Sequence, residues 1–325
     1  MVSGKPILVI LNQQAGGNAT GRLDGTDQLR ALGCSLSVIR SKNPDDALRA
    51  IRDAGDVAGI AIGGGDGTIS LALPALLERR LPLGVLPLGT ANDFARSIGV
   101  ADIESACHAI AQGRVRNVDL GLANGRPFLN VLAVGLPAQA ARDLTAERKR
   151  RFGIFAALAA APSIARHHRT FILRVRTDKQ RLEARCEAAL VGVGRYVGGV
   201  PVAYEAIDDG KLHMTACRAL TLRDGLFLAL SILLRRVPQD AQIIERAVSS
   251  LTLETSVPMD VAIDGNICAT TPIDARISAA ALRVFAPAAR SRRERLTLQS
   301  TVALFDAMHS PVAAEVAHLS KLVLA

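Results

Sequence analysis

The sequence predicts an α/β fold in which an N-terminal domain with a parallel sheet is followed by a C-terminal antiparallel β-sandwich domain. In residues 1–121, short apolar runs alternate with amphipathic stretches, which is typical of parallel strands joined by helices. In residues 122–290, strand-like segments follow one another, and many alternate apolar with polar residues as in a β-sandwich. Residues 291–325 form a tail that is basic at first and then helical in pattern, and that could pack back on the first domain.

The elements of the first domain are indicated by apolar runs and by helix-start signals. The run from Pro6 to Leu11 predicts a buried strand that ends in a polar loop containing glycines. Asn43 precedes Pro44 and two acids, which predicts a helix with an Asn N-cap and a proline in its first position. The other predicted elements are strands at Leu36–Arg40, Val57–Ile62 and Leu83–Leu86 and a helix at Ile69–Arg80.

The second domain is predicted from turn signals and strand patterns. Asn124 and Gly125 lie between apolar runs and predict the turn of a β-hairpin. Further strands are predicted at Phe171–Thr177, Leu182–Val193, Leu212–Cys217, Val248–Thr255, Met259–Asp264 and Ile277–Phe285. Two helical segments, Ile154–Ala165 and Thr221–Arg236, are predicted to interrupt these strands.

Composition and charge narrow the class of partner. The 325 residues include 39 Lys and Arg against 30 Asp and Glu, a net charge of +9 that favours an anionic partner. Aromatic residues make up only 3% of the chain, so few side chains could stack on bases and we expect no nucleic acid partner. The cysteines form no C-x-x-C pair, and no apolar stretch is long enough to span a bilayer. We therefore expect a cytoplasmic protein.

One glycine-rich segment, Gly63–Thr68, lies between a predicted buried strand and a predicted helix. Glycines allow the backbone to approach a ligand closely, and the N-terminus of the following helix favours phosphate. The segment is neither a P-loop nor a G-x-G-x-x-G motif. Asp66 is expected to act on a bound phosphate through a metal ion or a water. The alternative is an ordinary connection between a strand and a helix.

This segment and a second one together indicate a family. Gly64–Thr68 resembles the GGDGT motif that diacylglycerol kinases share with sphingosine-type kinases, NAD kinases and phosphofructokinases. Leu86–Arg96 resembles the P-x-G-T-x-N-D block of the diacylglycerol kinase catalytic-domain family. The resemblance extends to about residue 287 and implies an α/β nucleotide-binding domain followed by a β-sandwich.

The resemblance implies that ATP is bound by the two motifs. Asn92 and Asp93 are expected to shape the second loop. Ser41 matches a position where the family often has a nucleotide-contacting threonine, although it could equally be a plain loop serine. The expected ATP contacts are Ser41, Gly64, Gly65, Asp66, Gly67, Thr68, Thr90 and Asn92.

A magnesium site is implied by a third segment, Ala206–Leu212, which resembles the family's D-D-G-x-L motif. By this resemblance, the Asp209 carboxylate and the carbonyl oxygens of Ala206 and Lys211 hold Mg²⁺. Carboxylate and carbonyl oxygens suit a hard cation. The alternative is an Asp-Gly turn without a metal.

A general base is implied by a fourth segment, in which Asp264 and Gly265 resemble the family's L-D-G-E motif. An acid in this place accepts the proton of the acceptor hydroxyl. Here the Glu position is Asn266, an amide, so Asp264 is the predicted base unless its role is purely structural in a turn. Three further positions depart from the family pattern, where Gln13, Leu71 and Pro137 replace a proline and two acids.

These resemblances predict an ATP- and Mg²⁺-dependent lipid kinase that phosphorylates a hydroxyl of diacylglycerol or a related glycerolipid. The alternatives are a sphingoid long-chain-base kinase, an NAD kinase, and a nucleotide-binding regulatory protein with impaired catalysis. Basic residues at 148–151 precede the predicted helix Ile154–Ala165, which favours peripheral contact with an anionic membrane. A homodimer is also a possibility.

Overall fold

The computed structural model of the chain describes residues 4–13, 24–143, 170–194, 196–197, 200–201, 207–218 and 243–287. All of them belong to one compact unit, Met1–Pro287. The predicted helices Ile154–Ala165 and Thr221–Arg236, the basic residues 148–151 and the tail 291–325 lie outside the described residues. No helix within the described ranges is long and apolar enough to cross a bilayer.

The first part of the chain forms the predicted parallel sheet with helices between its strands. Its elements are β1 (Ile7–Asn12), α1 (Thr26–Ala31), β2 (Leu36–Ser41), α2 (Pro44–Arg52), β3 (Gly59–Gly64), α3 (Asp66–Arg79), β4 (Leu83–Pro87), α4 (Asp93–Ser97) and α5 (Ile103–Gln112). The strands pair in the order β4-β3-β1-β2. The loops after β1, β3 and β4 therefore leave the same edge, where open α/β sheets bind ligands.

The later strands pair antiparallel with one another, as predicted, and all of them except Tyr196–Val197 and Val200–Pro201, which form a separate pair, continue the same sheet. The remaining elements are β5 (Val115–Ala123), β6 (Arg126–Phe128), β7 (Val131–Gly135), α6 (Leu136–Asp143), β8 (Phe171–Arg176), β9 (Arg181–Gly192), β10 (Tyr196–Val197), β11 (Val200–Pro201), β12 (Leu212–Arg218), β13 (Ile243–Val248), β14 (Ser250–Thr255), β15 (Asp260–Ile263), β16 (Asn266–Thr270) and β17 (Ile273–Phe285). Strand β17 pairs with β4, β5 and β14, so it joins the two halves. The domain boundaries at 121 and 290 stay predictions.

Local sequence signals account for several element boundaries. The Asn43 side chain accepts a hydrogen bond from the Asp46 N–H at 2.9 Å, so it caps α2 as predicted. Asn124 and Gly125 have φ values of 46° and 82° and close the predicted hairpin between β5 and β6. Helix α3 begins at Asp66 rather than at Ile69, because the glycine loop itself forms the first helical turn.

Aliphatic side chains form the core of both the parallel and the antiparallel part of the sheet. The β1 residues Ile7, Val9 and Ile10 are fully buried, and the same cluster extends to Leu253 and Val284 in the later strands. Strands β5 and β7 and helices α5 and α6 are not among the predicted elements. A short apolar run such as that of β7 has no periodicity by which a strand could be told from a buried helix.

Candidate functional site

The two glycine-containing loops, after β3 and after β4, lie directly against each other. Gly65 is the N-cap of α3 and packs on Gly89 so closely that a Cβ on Gly89 would lie within contact distance of the Gly65 Cα. The Leu88 N–H donates to the Gly64 carbonyl oxygen at 3.1 Å. Only residues without a side chain allow this approach. Two motifs that are separate in the sequence therefore form one continuous backbone surface.

Asp66 holds the two loops together. Its Oδ2 accepts a hydrogen bond from the Asp93 N–H at 2.9 Å, and its Oδ1 accepts one from the Phe94 N–H at 2.8 Å. These two donors are at the N-terminus of α4, where a carboxylate satisfies N–H groups that have no partner inside the helix. The predicted action of Asp66 on a metal ion or a water stays a prediction.

The other predicted nucleotide contacts surround this joint. Asn92 has a φ of 52°, and its side chain accepts from the Gly89 N–H and donates to the Gly89 carbonyl, both at 2.9 Å. Thr68 Oγ1 accepts from the Asn12 amide at 2.9 Å, while Thr90 is exposed. Ser41 is 2% exposed. Contact of these residues with a nucleotide stays a prediction, and for Ser41 it would need the buried hydroxyl to become accessible.

Asp264 lies in the two-residue turn between β15 and β16. Its φ is 47° and that of Gly265 is 80°, the positive values that such a hairpin turn requires and that Asp-Gly readily adopts. The turn geometry alone would therefore explain these two residue types. The contacts of the carboxylate show that Asp264 also does more than form a turn.

The Asp264 carboxylate accepts four hydrogen bonds. Oδ2 accepts from Ser70 Oγ at 3.1 Å and from the Leu129 N–H at 2.9 Å. Oδ1 accepts from the N–H groups of Asn130 at 2.9 Å and Val131 at 3.2 Å. The hairpin of β15 and β16 is thereby attached to residues 129–131, which lead into β7, and to helix α3.

Burial and hydrogen bonding have opposite effects on the pKa of the Asp264 carboxyl. Burial raises the pKa of the Asp264 carboxyl above its ordinary value, while the four hydrogen bonds act to lower it, and the net direction is upward. A carboxyl with a raised pKa is a better proton acceptor at neutral pH than an ordinary aspartate. The electrostatics of the site thus suit a general base.

Asn130, which is not among the predicted site residues, connects the two predicted catalytic acids. Its N–H donates to Asp264, and its side-chain Nδ2 donates to Asp66 Oδ1 at 3.2 Å. Its carbonyl oxygen accepts from the Val193 N–H at 2.9 Å, and the residue is only 4% exposed. A single polar residue within the apolar run 128–134 is the sequence signal that could have indicated it.

The predicted magnesium loop is only partly described. Asp209 Oδ1 accepts from the Lys211 N–H at 2.9 Å, and Asp209 Oδ2 lies 2.8 Å from His213 Nε2. Ala206 lies outside the described residues. Asp119, which is 3% exposed, accepts from the Gly210 and Ala280 N–H groups at 2.7 Å and so fixes the loop to β5 and β17.

The donor set of this loop fits a hard cation. Each Asp209 oxygen has a lone pair beyond its protein contact, and carbonyl oxygens lie in the same loop. In the part of the chain that the structure describes, no three His, Cys, Asp or Glu side chains are grouped as metal ligands. A metal here would therefore be held by one carboxylate together with carbonyl oxygens, and the role of Asp209 and Lys211 stays a prediction.

Comparisons with known proteins agree with the fold. The family model described as the diacylglycerol kinase catalytic domain matches residues 6–123. A Klebsiella pneumoniae protein described as a probable YegS-like lipid kinase is 32% identical over 242 residues, covering 69% of this chain and 78% of that protein. A Pseudomonas aeruginosa protein described in the same way is 29% identical over 288 residues, covering 87% of this chain and 94% of that protein.

A solved structure shows the same fold. A Bacillus anthracis protein assigned as a diacylglycerol kinase superposes with a TM-score of 0.74 at 26% identity, covering 87% of this chain and 96% of that one. The fold and the relatives together identify an enzyme of the lipid kinase class. The chain belongs to the diacylglycerol kinase catalytic-domain family.

Proposed function

We propose that this protein transfers the γ-phosphoryl group of ATP to a hydroxyl of diacylglycerol or a related glycerolipid, with Mg²⁺, at an anionic membrane surface. The main support is the joint between the two glycine loops, which Asp66 closes at the start of α4. The glycine loop also leads directly into the N-terminus of α3, and backbone N–H groups at the start of a helix favour phosphate. Relatives described as lipid kinases support the lipid as acceptor.

The loops are the proposed binding site for the nucleotide phosphates. Gly65 and Gly89 bring the two backbones together, and Asn92 keeps the second loop closed through its hydrogen bonds with Gly89. Phosphoryl transfer depends mostly on positioning and on electrostatic stabilisation, so a rigid backbone cradle is the main requirement. A structural Mg²⁺ would be held by Asp209 and the carbonyl oxygens of its loop.

Asp264 is the proposed proton acceptor. The acceptor hydroxyl oxygen forms a bond to the γ-phosphorus, the bond between that phosphorus and the bridging oxygen breaks, and ADP leaves. The hydroxyl proton goes to the Asp264 carboxylate and then to solvent. The upward shift of the Asp264 pKa supports this role, because it moves the proton affinity of the carboxylate toward neutral pH.

The experiment is a transfer assay with the purified full-length chain. Labelled ATP and Mg²⁺ are incubated with mixed micelles that contain diacylglycerol, a sphingoid base, or no lipid. We expect labelled lipid only with diacylglycerol. Labelling of the sphingoid base instead would show that the acceptor is a long-chain base and not diacylglycerol. ATP binding without any labelled lipid would favour the regulatory alternative, which the amide at Asn266 makes the second candidate.

A further inference from the structure

Ser70 lies beside the proposed base, on the same face of α3 as Asp66. The two residues are four positions apart, so their side chains are neighbours on the helix surface. Asp66 accepts a hydrogen bond from the Asn130 side chain, and Ser70 donates one to Asp264. Asn130 itself also donates to Asp264. Ser70 is therefore one helical turn away from the loop that is proposed to bind phosphate.

The Asp264 carboxylate has no lone-pair position left for an incoming hydroxyl. An ionised carboxylate offers about four acceptor positions, and four protein donors already lie within hydrogen-bond distance of them. Three of the donors are backbone N–H groups, which the sheet and its loops hold in place. A substrate hydroxyl could reach this carboxylate directly only by displacing one of them.

The fourth donor is chemically different from the others. A serine hydroxyl rotates freely, and it has two acceptor lone pairs in addition to its proton. While Ser70 donates to Asp264 Oδ2 at 3.1 Å, its own oxygen can accept a hydrogen bond from another hydroxyl. The residue is partly exposed rather than fully buried, so a second group can approach it.

We propose that Ser70 is a catalytic residue that relays the acceptor proton to Asp264, an inference that rests on the proposed function. The acceptor O–H donates its proton to Ser70 Oγ while the Ser70 proton passes to Asp264 Oδ2. The acceptor oxygen bonds to the γ-phosphorus, and ADP leaves with the bridging oxygen. Asp264 then returns a proton to Ser70, whose extra proton passes to solvent, so both groups regain their starting state.

The relay and direct transfer predict opposite results for Ser70→Ala. In the relay, this change removes the only path for the proton, and kcat should fall by about 10²–10⁴ while the KM for ATP is unchanged. If the acceptor instead displaces Ser70, the change frees an Asp264 lone pair, and kcat should stay the same or rise. Ser70→Thr keeps the hydroxyl and should retain most of the turnover.

The experiment compares the wild type with Ser70→Ala, Ser70→Thr and the control Ser37→Ala, which removes an exposed hydroxyl from β2. Lipid phosphorylation, ATP affinity and melting temperature are measured on the same preparations. The dependence of kcat on the deuterium fraction of the solvent should be curved for the wild type, because two protons move together. Ser70→Ala should show a linear dependence of its residual rate.

The outcomes separate the relay from the proposed function. Ser70→Ala turnover within twofold of an active wild type, or a linear dependence on deuterium in the wild type, would overturn the relay alone. A wild type that labels no lipid would refute the kinase proposal and the relay with it. Loss of turnover in Ser70→Ala together with retained activity in Ser70→Thr is the result that we expect.

Discussion

At the scale of single residues, Asn130 determines how the two predicted catalytic acids are arranged. A carboxylate at neutral pH can only accept hydrogen bonds, so the amide nitrogen of Asn130 must be the atom that faces Asp66. The backbone N–H of the same residue fixes Asp264. Because Asn130 is buried, a movement at either acid would be transmitted to the other through it.

Asn130→Asp tests this coupling. The new carboxylate has nearly the same shape, but it places a negative charge between two acids and removes the donor to Asp66. Like charges disfavour ionisation, so the pKa of Asp264 should rise further and the acid limb of kcat/KM should move to higher pH. Turnover at neutral pH should fall at least about tenfold.

A charge change elsewhere provides the control for Asn130→Asp. Gln180→Glu adds the same charge to an exposed turn between β8 and β9 and should leave the pH profile in place. The pH dependence of kcat/KM is measured for both variants and the wild type. An unshifted acid limb in Asn130→Asp would show that Asn130 does not couple the acids.

The pH dependence of Asp264 gives a second prediction at the residue scale. Because burial raises its pKa, activity should disappear on the acid side at a pH above the ordinary aspartate value of about 3.9. The contribution of Asp264 to the free energy of unfolding should have the opposite pH dependence, falling as the pH rises. A carboxyl whose folded-state pKa is raised contributes most to the free energy of unfolding below the unfolded-state pKa, and this contribution is lost as the pH rises through the folded-state value.

Asp264→Asn removes the titrating carboxyl, and with it both the predicted loss of activity at acid pH and the predicted pH dependence of stability. The change preserves the turn. The hairpin between β5 and β6 already uses Asn-Gly for its turn, with positive φ at Asn124, so asparagine suits this conformation. One oxygen becomes an NH₂ group that opposes a backbone donor, which should cost about 1–3 kcal/mol of stability. Turnover for each folded molecule is the deciding quantity. Unchanged turnover would assign Asp264 a structural role only.

At the scale of elements, the contact between the β3–α3 and β4–α4 connections is the main feature of the site. Gly65 and Gly89 allow the contact, Asp66 bonds across it to the start of α4, and Asn92 closes the β4–α4 connection through Gly89. The connections belong to neighbouring parallel strands, so the sheet itself brings them to the same edge. Their geometry therefore depends on strand pairing as much as on the loop sequences.

Gly89→Ala should separate the two connections. The added Cβ would clash with the Gly65 Cα and lie 2.8 Å from Asn92 Oδ1, so the loop closed by Asn92 must open. Overpacking of this kind costs about 1–3 kcal/mol, and here most of it should appear as weaker ATP binding rather than as unfolding of the sheet. ATP affinity is measured directly by calorimetry.

Gly55→Ala is the matched control for this change. A Cβ at Gly55 meets nothing within 4 Å, and the residue lies in the connection between α2 and β3, away from the glycine loops. Its ATP affinity should equal that of the wild type. Equal ATP affinity in Gly89→Ala would mean that the loop contact is not part of the nucleotide site.

At the scale of the whole molecule, the site depends on contacts between distant parts of the chain. Ser70 and Asp264 are separated by 194 positions, and Asp66 and Asn130 by 64. Strand β17 makes these contacts possible, because it pairs with β4 of the parallel part and with β5 and β14 of the antiparallel part. The glycine loops and the proposed base are therefore held on one continuous sheet.

The net charge of +9 leads to a prediction for membrane binding. Binding of the full chain to anionic vesicles should fall steeply as added salt shortens the Debye length from about 10 Å to 3 Å. Replacement of four residues by glutamine should weaken vesicle binding without changing ATP affinity. These residues are Arg148, Lys149, Arg150 and Arg151.

A second set of four cations distinguishes local from general electrostatics. The control set also contains three arginines and one lysine, all exposed on β8, β9 and the turn between them, and it consists of Arg176, Lys179, Arg181 and Arg185. Vesicle sedimentation is measured for both sets. Equal loss of binding in the two would show that net charge rather than the 148–151 cluster is responsible, and binding that resists salt would exclude an electrostatic contact.

The sequence by itself determined the local features of this protein. The parallel part, the Asn43 cap, the Asn124–Gly125 turn and the glycine motifs were predictable, because each depends on backbone preferences within a few residues. The family was also predictable, because its two motifs are short and contiguous. Strand β7 was not, since a short apolar run cannot be told from a buried helix segment by periodicity alone.

Only the tertiary structure decided how the site is assembled. The action of Asp66 through a metal ion or a water stays a prediction, and the structure adds that its carboxylate accepts from the start of α4 and from Asn130. Ser70 was not among the predicted site residues, although it donates to Asp264. These partners come from strands and helices far apart in the chain, and the pairing that brings them together through β17 leaves no local pattern in the sequence.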